Sequence, residues 1–148
     1  MAVIGSGLYG LSLEKMLIDT LGQSLESETA IKVLMVTDTE APNFDTHDFR
    51  NDILAEVTGT GYTLGGNVIT STEVTLASGL LTYDAADTSW AASTIANAMA
   101  AVGYTNVGSA ATDQLIWLSD FVTAASSSAG TFTVQWAAGG IFTIDYVP

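Results

Sequence analysis

The chain has 148 residues, of which 48% are hydrophobic, and this size and composition indicate one folded domain and exclude a disordered chain. Sixteen acidic residues face only three lysines and arginines, so the net charge of -13 argues against nucleic acid or an anionic membrane surface as a partner, because both require clustered cations. No cysteine is present, and no stretch approaches the ~18 consecutive apolar residues of a membrane-spanning helix.

Residues 1–30 are predicted to form an N-terminal arm with a helical segment. Glu14 and Lys15 interrupt its apolar residues and no basic region precedes them, so the pattern does not indicate a secretory signal. Two interpretations of residues 2–19 are open: the arm orders against a neighbouring subunit, or it is an amphipathic helix packed on its own domain. In both cases the contact is made by its apolar side chains, which are Tyr9, Leu11, Leu13, Met16 and Leu17.

Residues 31–148 are predicted to form a single β-rich domain. Residues 31–37 (IKVLMVT) are rich in β-forming residues and apolar on both faces of the pleat, and turn-forming residues follow them. We therefore expect a central strand with both faces covered. Residues 72–76 and 80–83 are expected to pair as a hairpin about a tight turn at residues 77–79.

A short helix is predicted at about residues 46–56. Asp45 or Thr46 can cap its first turn, few residues within it disfavour a helix, and residues 58–59 (TG) end it. Because a helix of this length is unstable alone, we expect it to pack on the sheet.

The second half of the chain contains one ambiguous segment. Residues 93–102 (STIANAMAAV) combine helix-favouring Ala and Met with β-favouring side chains, so the residues alone leave helix and strand open. Residues 114–122 (QLIWLSDFV) are a further strand candidate. The run of small residues at 124–130 is predicted to be a loop.

Residues 132–136 and 141–147 are predicted to pair as a C-terminal hairpin, turning at residues 137–140 (AAGG). Alternation places Phe132, Val134 and Trp136 on one face, which is the expected contribution to the core. These elements together predict a mainly β protein: a compact antiparallel β-sandwich or barrel-like domain with one short helix and an N-terminal arm.

The densest polar cluster lies at residues 43–52 (NFDTHDFRND). Its carboxylates and imidazole could hold an ion, but the spacing matches neither an EF-hand loop nor H-E-x-x-H. The favoured interpretation is structural: Asp45 or Thr46 caps the predicted helix, acids of the first turn favour the helix dipole, and Arg50 pairs with one of them. The residues that would bind an ion are Asp45, His47, Asp48 and Asp52.

Other residues that could carry chemistry have simpler structural interpretations. His47 is the only histidine, and no G-x-S-x-G sequence is present, so a hydrogen-bonded structural histidine is favoured over a catalytic triad. Asp84 and Asp87 could form a glycosidase pair, but we favour solvated turn acids. Residues 59–66 (GTGYTLGG) lack the helix start of a phosphate-binding loop and are interpreted as a flexible connection between strands. No catalytic, cofactor-binding or metal-binding residue is predicted.

Three tryptophans could stack on sugars if they were exposed together. Each lies in an apolar, strand-like stretch, and burial of a tryptophan removes a large apolar area from water, so we favour core positions. These residues are Trp90, Trp117 and Trp136.

Five segments of the chain resemble a family of small structural proteins of tailed bacteriophages. The resemblance begins at residue 31 and extends to residue 143. The segments are 31–37 (IKVLMVT), 41–53 (APNFDTHDFRNDI), 56–66 (EVTGTGYTLGG), 84–95 (DAADTSWAASTI) and 130–143 (GTFTVQWAAGGIFT).

The resemblance implies a virion component without enzymatic activity or cofactor, namely a head decoration (cement) protein on the outer surface of the phage head. The implied partners are the major capsid protein and further copies of the chain. The local symmetry axes of a capsid favour closed rings, so a homotrimer is expected. The resemblance also implies a strand at residues 93–104, beside residues 114–121. Residues 2–19 would order against a neighbouring subunit or the capsid.

Three alternatives remain. A tail, neck or fibre-base component would have a similar composition and differs in its copy number per virion. A carbohydrate-binding adhesive module would use the tryptophans together with Asp84 and Asp87. A hydrolase acting on host-surface glycan is the least favoured, because it needs a carboxylate pair in a cleft.

Overall fold

The computed structural model describes residues 3–147, and this part of the chain contains nine strands, one α-helix and one 3₁₀ helix. The elements in chain order are β1 (Gly7–Leu8), α1 (Gly10–Leu17), β2 (Ile31–Thr37), the 3₁₀ helix (Arg50–Asp52), β3 (Gly59–Thr60), β4 (Asn67–Val68), β5 (Glu73–Ala77), β6 (Leu80–Asp84), β7 (Thr88–Thr105), β8 (Leu115–Val134) and β9 (Phe142–Asp145). No helix in this part of the chain is long and apolar enough to cross a membrane.

The strands form two antiparallel sheets. The larger sheet has the order β1-β8-β7-β2-β4, and β3 pairs with β7 beyond the end of β2. The smaller sheet has the order β5-β6-β9. This arrangement of two antiparallel sheets with one short helix confirms the predicted fold class.

β2 lies inside the larger sheet and is covered on both faces, as predicted. Ile31, Val33 and Met35 point into the core that the larger sheet shares with the smaller one. Leu34 and Val36 point into a second core on the opposite face of the sheet. The larger sheet is therefore the middle of three layers.

The third layer contains the N-terminal segment, which packs on its own domain. Tyr9 is fully buried beside Leu34 and Leu118, and its ring lies 5.2 Å from that of Phe44. The Ser12 hydroxyl donates a hydrogen bond to the carbonyl of Leu115. Of the two interpretations left open for the arm, the structure therefore has the helix packed on its own sheet. Leu17 was expected in this contact but is 81% exposed, and Ala2 lies outside the described residues.

β7 and β8 form a long antiparallel hairpin that runs the length of the larger sheet. Residues 93–102 lie in β7, so the strand expected from the resemblance is confirmed and the helix is excluded. The strand predicted at residues 114–122 is also confirmed. The loop predicted at residues 124–130 is wrong, because β8 continues through these small residues to Val134.

The hairpin predicted around residues 77–79 is confirmed as β5 and β6. The C-terminal hairpin is wrong: β8 pairs with β7, whereas β9 pairs with β6 in the other sheet. Gly140, at φ 94°, packs on the backbone of Tyr83, and the amide of Ile141 donates to the Tyr83 carbonyl, which directs the chain onto β6. Phe132 and Val134 are buried and Trp136 is half-buried, so the predicted core face is confirmed.

The α-helix predicted at residues 46–56 is wrong, and the 3₁₀ helix is the only helical turn in this part of the described chain. The amides of Arg50 and Asn51 donate to the carbonyls of Asp113 and Ala110, in the connection between β7 and β8. Backbone groups bonded to a distant segment are not available for an α-helix.

Candidate functional site

The polar cluster at residues 43–52 is held together by side-chain caps. The Asn43 side-chain oxygen accepts hydrogen bonds from the amides of Asp45 and Thr46 at 3.1 and 3.2 Å. Asp52 Oδ2 accepts from the amides of Asp48 and Phe49 at 3.0 and 3.2 Å. The capping groups are thus Asn43 and Asp52, and the prediction that Asp45 or Thr46 caps a helix is wrong.

The predicted ion-binding alternative at Asp45, His47, Asp48 and Asp52 gains no support. Within residues 3–147 no group of three or more histidine, cysteine or acidic side chains is placed to hold a metal ion. His47 Nδ1 lies 3.5 Å from the amide of Asn43, which fits the predicted structural role of this histidine. Slight burial would raise the pKa of the Asp52 carboxyl, but its two amide donors and nearby His47 outweigh this and lower it.

The prediction that Arg50 pairs with a neighbouring acid of the polar cluster is wrong, because Arg50 pairs with Asp113. The Arg50 Nε donates to Asp113 Oδ2 at 3.0 Å, and the guanidinium lies 5.2 Å from the centre of the Tyr104 ring. Asp113 Oδ1 also accepts from the amides of Val107 and Gly108. The pair therefore ties the polar cluster to the connection between β7 and β8.

Glu56 anchors the glycine-rich connection that follows. Its Oε1 accepts hydrogen bonds from the Tyr62 hydroxyl at 2.8 Å and from the Gly65 amide at 2.6 Å. The Tyr62 hydroxyl in turn accepts from the Met35 amide, and the Tyr104 hydroxyl donates to the Gly65 carbonyl. Burial, reinforced by the Glu56 carboxylate, raises the pKa of Tyr62.

Residues 59–66 connect strands, as predicted, but their glycines fix the connection rather than make it flexible. A Cβ atom on Gly59 would lie 2.0 Å from the Thr94 carbonyl oxygen, and one on Gly61 would lie 2.8 Å from that of Ala92. A Cβ atom on Gly66 would likewise clash with the backbone of Val33 in β2. The motif that resembles a phosphate-binding loop is therefore a set of backbone contacts that only glycine permits.

The acidic residues considered as a glycosidase pair both accept hydrogen bonds from backbone amides. Asp84 Oδ1 accepts from the amide of its neighbour Ala85, which matches the interpretation as a turn acid. Asp87 Oδ1 accepts from the amide of Trp136, 49 residues along the chain, so this carboxylate joins two distant segments.

The tryptophans do not form an exposed platform. Trp90 and Trp117 are buried in the core between the sheets, as predicted. Trp136 is half-buried, packs edge-on against Trp117 at 6.3 Å, and donates its indole N–H to the Ala86 carbonyl. The two buried rings have no free face for a sugar.

A cleft of about 730 Å³ lies between the end of α1 and β5. Of its charged groups, Lys15 donates to the Gln114 side chain and Glu26 accepts from the Val74 amide. These groups are therefore engaged in holding the fold, and Asp19 is the remaining charged side chain in the lining.

The hairpin of β7 and β8 is shaped by bulges whose residues have left-handed backbone angles. These residues are Ala92, Asn97, Val122 and Ala129, with φ of 48°, 55°, 64° and 50°. The pairing register shifts at each of them. Bulges bend a strand and increase its twist, and a non-glycine residue in this region costs about 1–2 kcal/mol.

Side-chain oxygens replace the backbone acceptors that are lost at three of these bulges. The amide of Asn97 donates to the Ser126 hydroxyl, that of Ala129 to the Thr94 hydroxyl, and that of Val122 to Asp120 Oδ1, at 3.0, 3.0 and 2.7 Å. Ser127 similarly accepts from the Ile95 amide. The serines that suggested a loop are thus part of the strand pairing, which a pattern of hydrophobicity cannot reveal.

One side of β8 remains without a strand partner over most of its length. Within residues 3–147, β7 covers one side, and β1 covers the other only at Trp117 and Leu118. We refer to the uncovered side of residues 121–134 as the open edge. It is the longest stretch of strand edge without a paired strand among the described residues.

Comparison with known protein families, with curated proteins and with solved structures finds no match to this chain.

Proposed function

We propose that this chain is a structural protein of a tailed-bacteriophage virion, and specifically a decoration protein that binds the outer surface of the head and stabilises it. In this proposal it is not an enzyme. It assembles with further copies of itself, as a homotrimer, and its partner is the major capsid protein.

The observation that carries the proposal is the structural role of the residues in the phage-like motifs. Glu56 holds residues 62 and 65, Asn43 caps the polar cluster, and the motif glycines allow close backbone contacts. Because these residues hold the fold of this chain, the resemblance lies in residues that determine architecture. The decoration role is then assigned to this chain by analogy with the phage proteins that it resembles.

The chemistry of the described residues supports a binding role. Their polar clusters are used in caps, an ion pair and bulge contacts, as shown for Asp52, Asp113 and Ser127. Large apolar side chains remain exposed, including Leu17, Leu54 and Leu76. A chain that becomes buried in an assembly presents such side chains to its neighbours.

Copy number in purified virions tests the proposal. Quantitative mass spectrometry against the major capsid protein should give roughly one-half to one copy per capsid subunit for a protein that covers the shell. A handful of copies per particle would move the protein to the neck, tail or fibre base. Absence from the particle would overturn the virion assignment.

Reassembly on particles provides a second test of the proposal. Purified protein added to particles that lack it should restore the original ratio and raise the temperature at which the shell opens. The destabilised variant Gly66→Ala should restore neither, whereas Gly139→Ala, at a glycine with no atom within 4 Å of its Cβ position, should restore both.

A further inference from the structure

The open edge of β8 differs from the rest of the surface in its charge. Residues 121–144 contain no charged residue, and neither do residues 88–112 of the pairing strand and the connection after it. The chain as a whole has a net charge of -13. Two copies repel each other over most orientations, and the repulsion is weakest where the open edges meet.

The open edge lacks lysine, proline and shortness, three of the features that usually prevent strand pairing, but it does contain a fourth, which is β-bulges. Edge strands are normally protected by lysine, by proline or by being very short, and β8 has 20 residues with neither lysine nor proline. Bulges at Val122 and Ala129 bound residues 123–128, an accessible segment that pairs with β7 at Ala125 and Ser127, with a register shift between these two pairs. Six residues are an ordinary strand length.

Exposed apolar side chains lie where the open edge begins. Val122 is 80% exposed, and Ile4 is 82% exposed. The Ser6 hydroxyl accepts from the Asp120 amide, which places the N-terminal segment beside this end of the edge. A second copy paired along the open edge would lie beside Val122, and each Å² of this side chain that it covers contributes about 25 cal/mol.

We propose that the open edge of β8 is the surface through which one copy of this chain binds a second copy, by backbone pairing of residues 123–128. The inference deepens the proposed function, on which it rests, by assigning the contact between copies. Where two open edges pair with each other in an antiparallel dimer centred between Ala125 and Ser126, Asp120 of each copy lies opposite Thr131 of the other. No two carboxylates are then brought face to face.

Self-association of the full chain measures this contact directly. Sedimentation equilibrium and native mass spectrometry should show an oligomer, and its association constant should increase between low salt and about 0.5 M salt, because salt screens the repulsion between acidic copies. A dimer means that β8 pairs with β8. A trimer means that residues 123–128 pair with a different edge of the neighbouring copy, as a closed ring of three requires. Either oligomer supports the inference only if residues 123–128 form the contact, which the next two measurements decide.

Ala124→Glu tests the location of the contact, because Ala124 is exposed in the accessible segment. The added charge should weaken self-association by about tenfold or more. Ala96→Glu is the matched control: Ala96 is also exposed, but it lies in β7, one strand spacing of ~4.8 Å further from the partner. It should change the association constant by less than about threefold, and circular dichroism should show both variants folded.

Hydrogen exchange of the unmodified chain provides a second measurement that needs no variant. Amides of residues 123–128 should become protected as the protein concentration rises, while amides of β5 in the other sheet should not. A monomer at all salt concentrations, or an oligomer insensitive to Ala124→Glu with residues 123–128 unprotected, overturns the inference. Both results are independent of the copy number in virions, so failure here and failure of the proposed function can be told apart.

Discussion

Gly66 packs so closely against Val33 that a Cβ atom on Gly66 would lie 1.8 Å from the Val33 carbonyl oxygen. The φ of Gly66 is 67°, a left-handed angle that side chains disfavour. The contact fixes the glycine-rich connection on β2, the central strand of the middle layer.

Gly66→Ala is therefore expected to lower the free energy of unfolding by about 3 kcal/mol or more, because β2 must shift to accept the methyl group. Urea unfolding followed by tryptophan fluorescence measures the change. Gly139→Ala is the control, since no atom lies within 4 Å of its Cβ position, and it should change stability by less than about 0.5 kcal/mol. Equal unfolding midpoints for the two variants would contradict the assigned contact.

The Ser127 hydroxyl is expected to contribute more to the free energy of unfolding than the hydroxyl of its neighbour Ser128. The Ser127 hydroxyl donates to the Ser93 carbonyl, accepts from the Ile95 amide and lies 2.8 Å from the hydroxyl of buried Ser93. Ser127→Ala should cost about 1–2 kcal/mol, because it leaves buried polar groups with fewer partners. Ser128 is exposed, so Ser128→Ala should have nearly no effect on thermal unfolding. A larger loss for Ser128→Ala would show that the bulge hydroxyls do not act as described.

Stability is expected to fall in alkaline solution. Burial raises the pKa of four tyrosines above the ordinary value of 10.0. Above about pH 10 the unfolded chain releases phenol protons that the folded chain retains, so each tyrosine can lower the unfolding free energy by about 1.4 kcal/mol per pH unit. The tyrosines are Tyr9, Tyr62, Tyr83 and Tyr104.

Urea unfolding between pH 8 and pH 11.5 checks this dependence, and the stability should be retained below about pH 10. Tyr83→Phe should make the decline above pH 10 shallower. Tyr146→Phe is the control, because the Tyr146 ring is 57% exposed to water in the folded chain. The same alkaline slope in all three proteins would be inconsistent with burial of the phenol groups as its cause.

Removal of Arg50 is expected to destabilise the connection between β7 and β8. The Asp113 side chain is 2% exposed, and Arg50→Ala would leave its carboxylate with only two backbone donors. The expected loss is about 2–3 kcal/mol by calorimetry. Lys15→Ala is the comparison, because it removes an ion pair with partly exposed Asp48 at 3.8 Å and a hydrogen bond to the Gln114 side chain but leaves no carboxylate buried, and it should cost about 1 kcal/mol. A loss of that size or smaller for Arg50→Ala would rule out the assigned role of the pair.

Strands could be predicted from the sequence where the local pattern of hydrophobic residues matches the burial of those residues in the structure. Residues 31–37 are apolar on both faces and become a covered central strand, and the β5-β6 hairpin turns where small residues interrupt two β-forming runs. These elements depend on their own residues, so periodicity predicted them.

The errors arose where distant segments decide the structure. Residues 46–56 have helix-compatible residues, but the amides of Arg50 and Asn51 bond to the connection after β7. Residues 124–130 have little intrinsic preference for a strand, yet pairing with β7 and hydroxyl contacts from Ser126 and Ser127 impose one. The open edge could not be predicted from the sequence either, because it depends on how many residues of the other strands pair with each side of β8.

The pairing of β1 with β8 joins Gly7 and Leu8 to Leu118 and Trp117. β1 therefore cannot pair until β8, more than 100 residues later, has been synthesised. At a synthesis rate of about 5–20 residues per second, Tyr9 and α1 spend on the order of ten seconds on the ribosome without the surface that buries them. Contacts that close such long loops form late and slow the folding of β proteins. Newly made chains of this protein therefore expose the apolar residues of this N-terminal segment to chaperones and to other nascent chains until residues 115–118 have been synthesised.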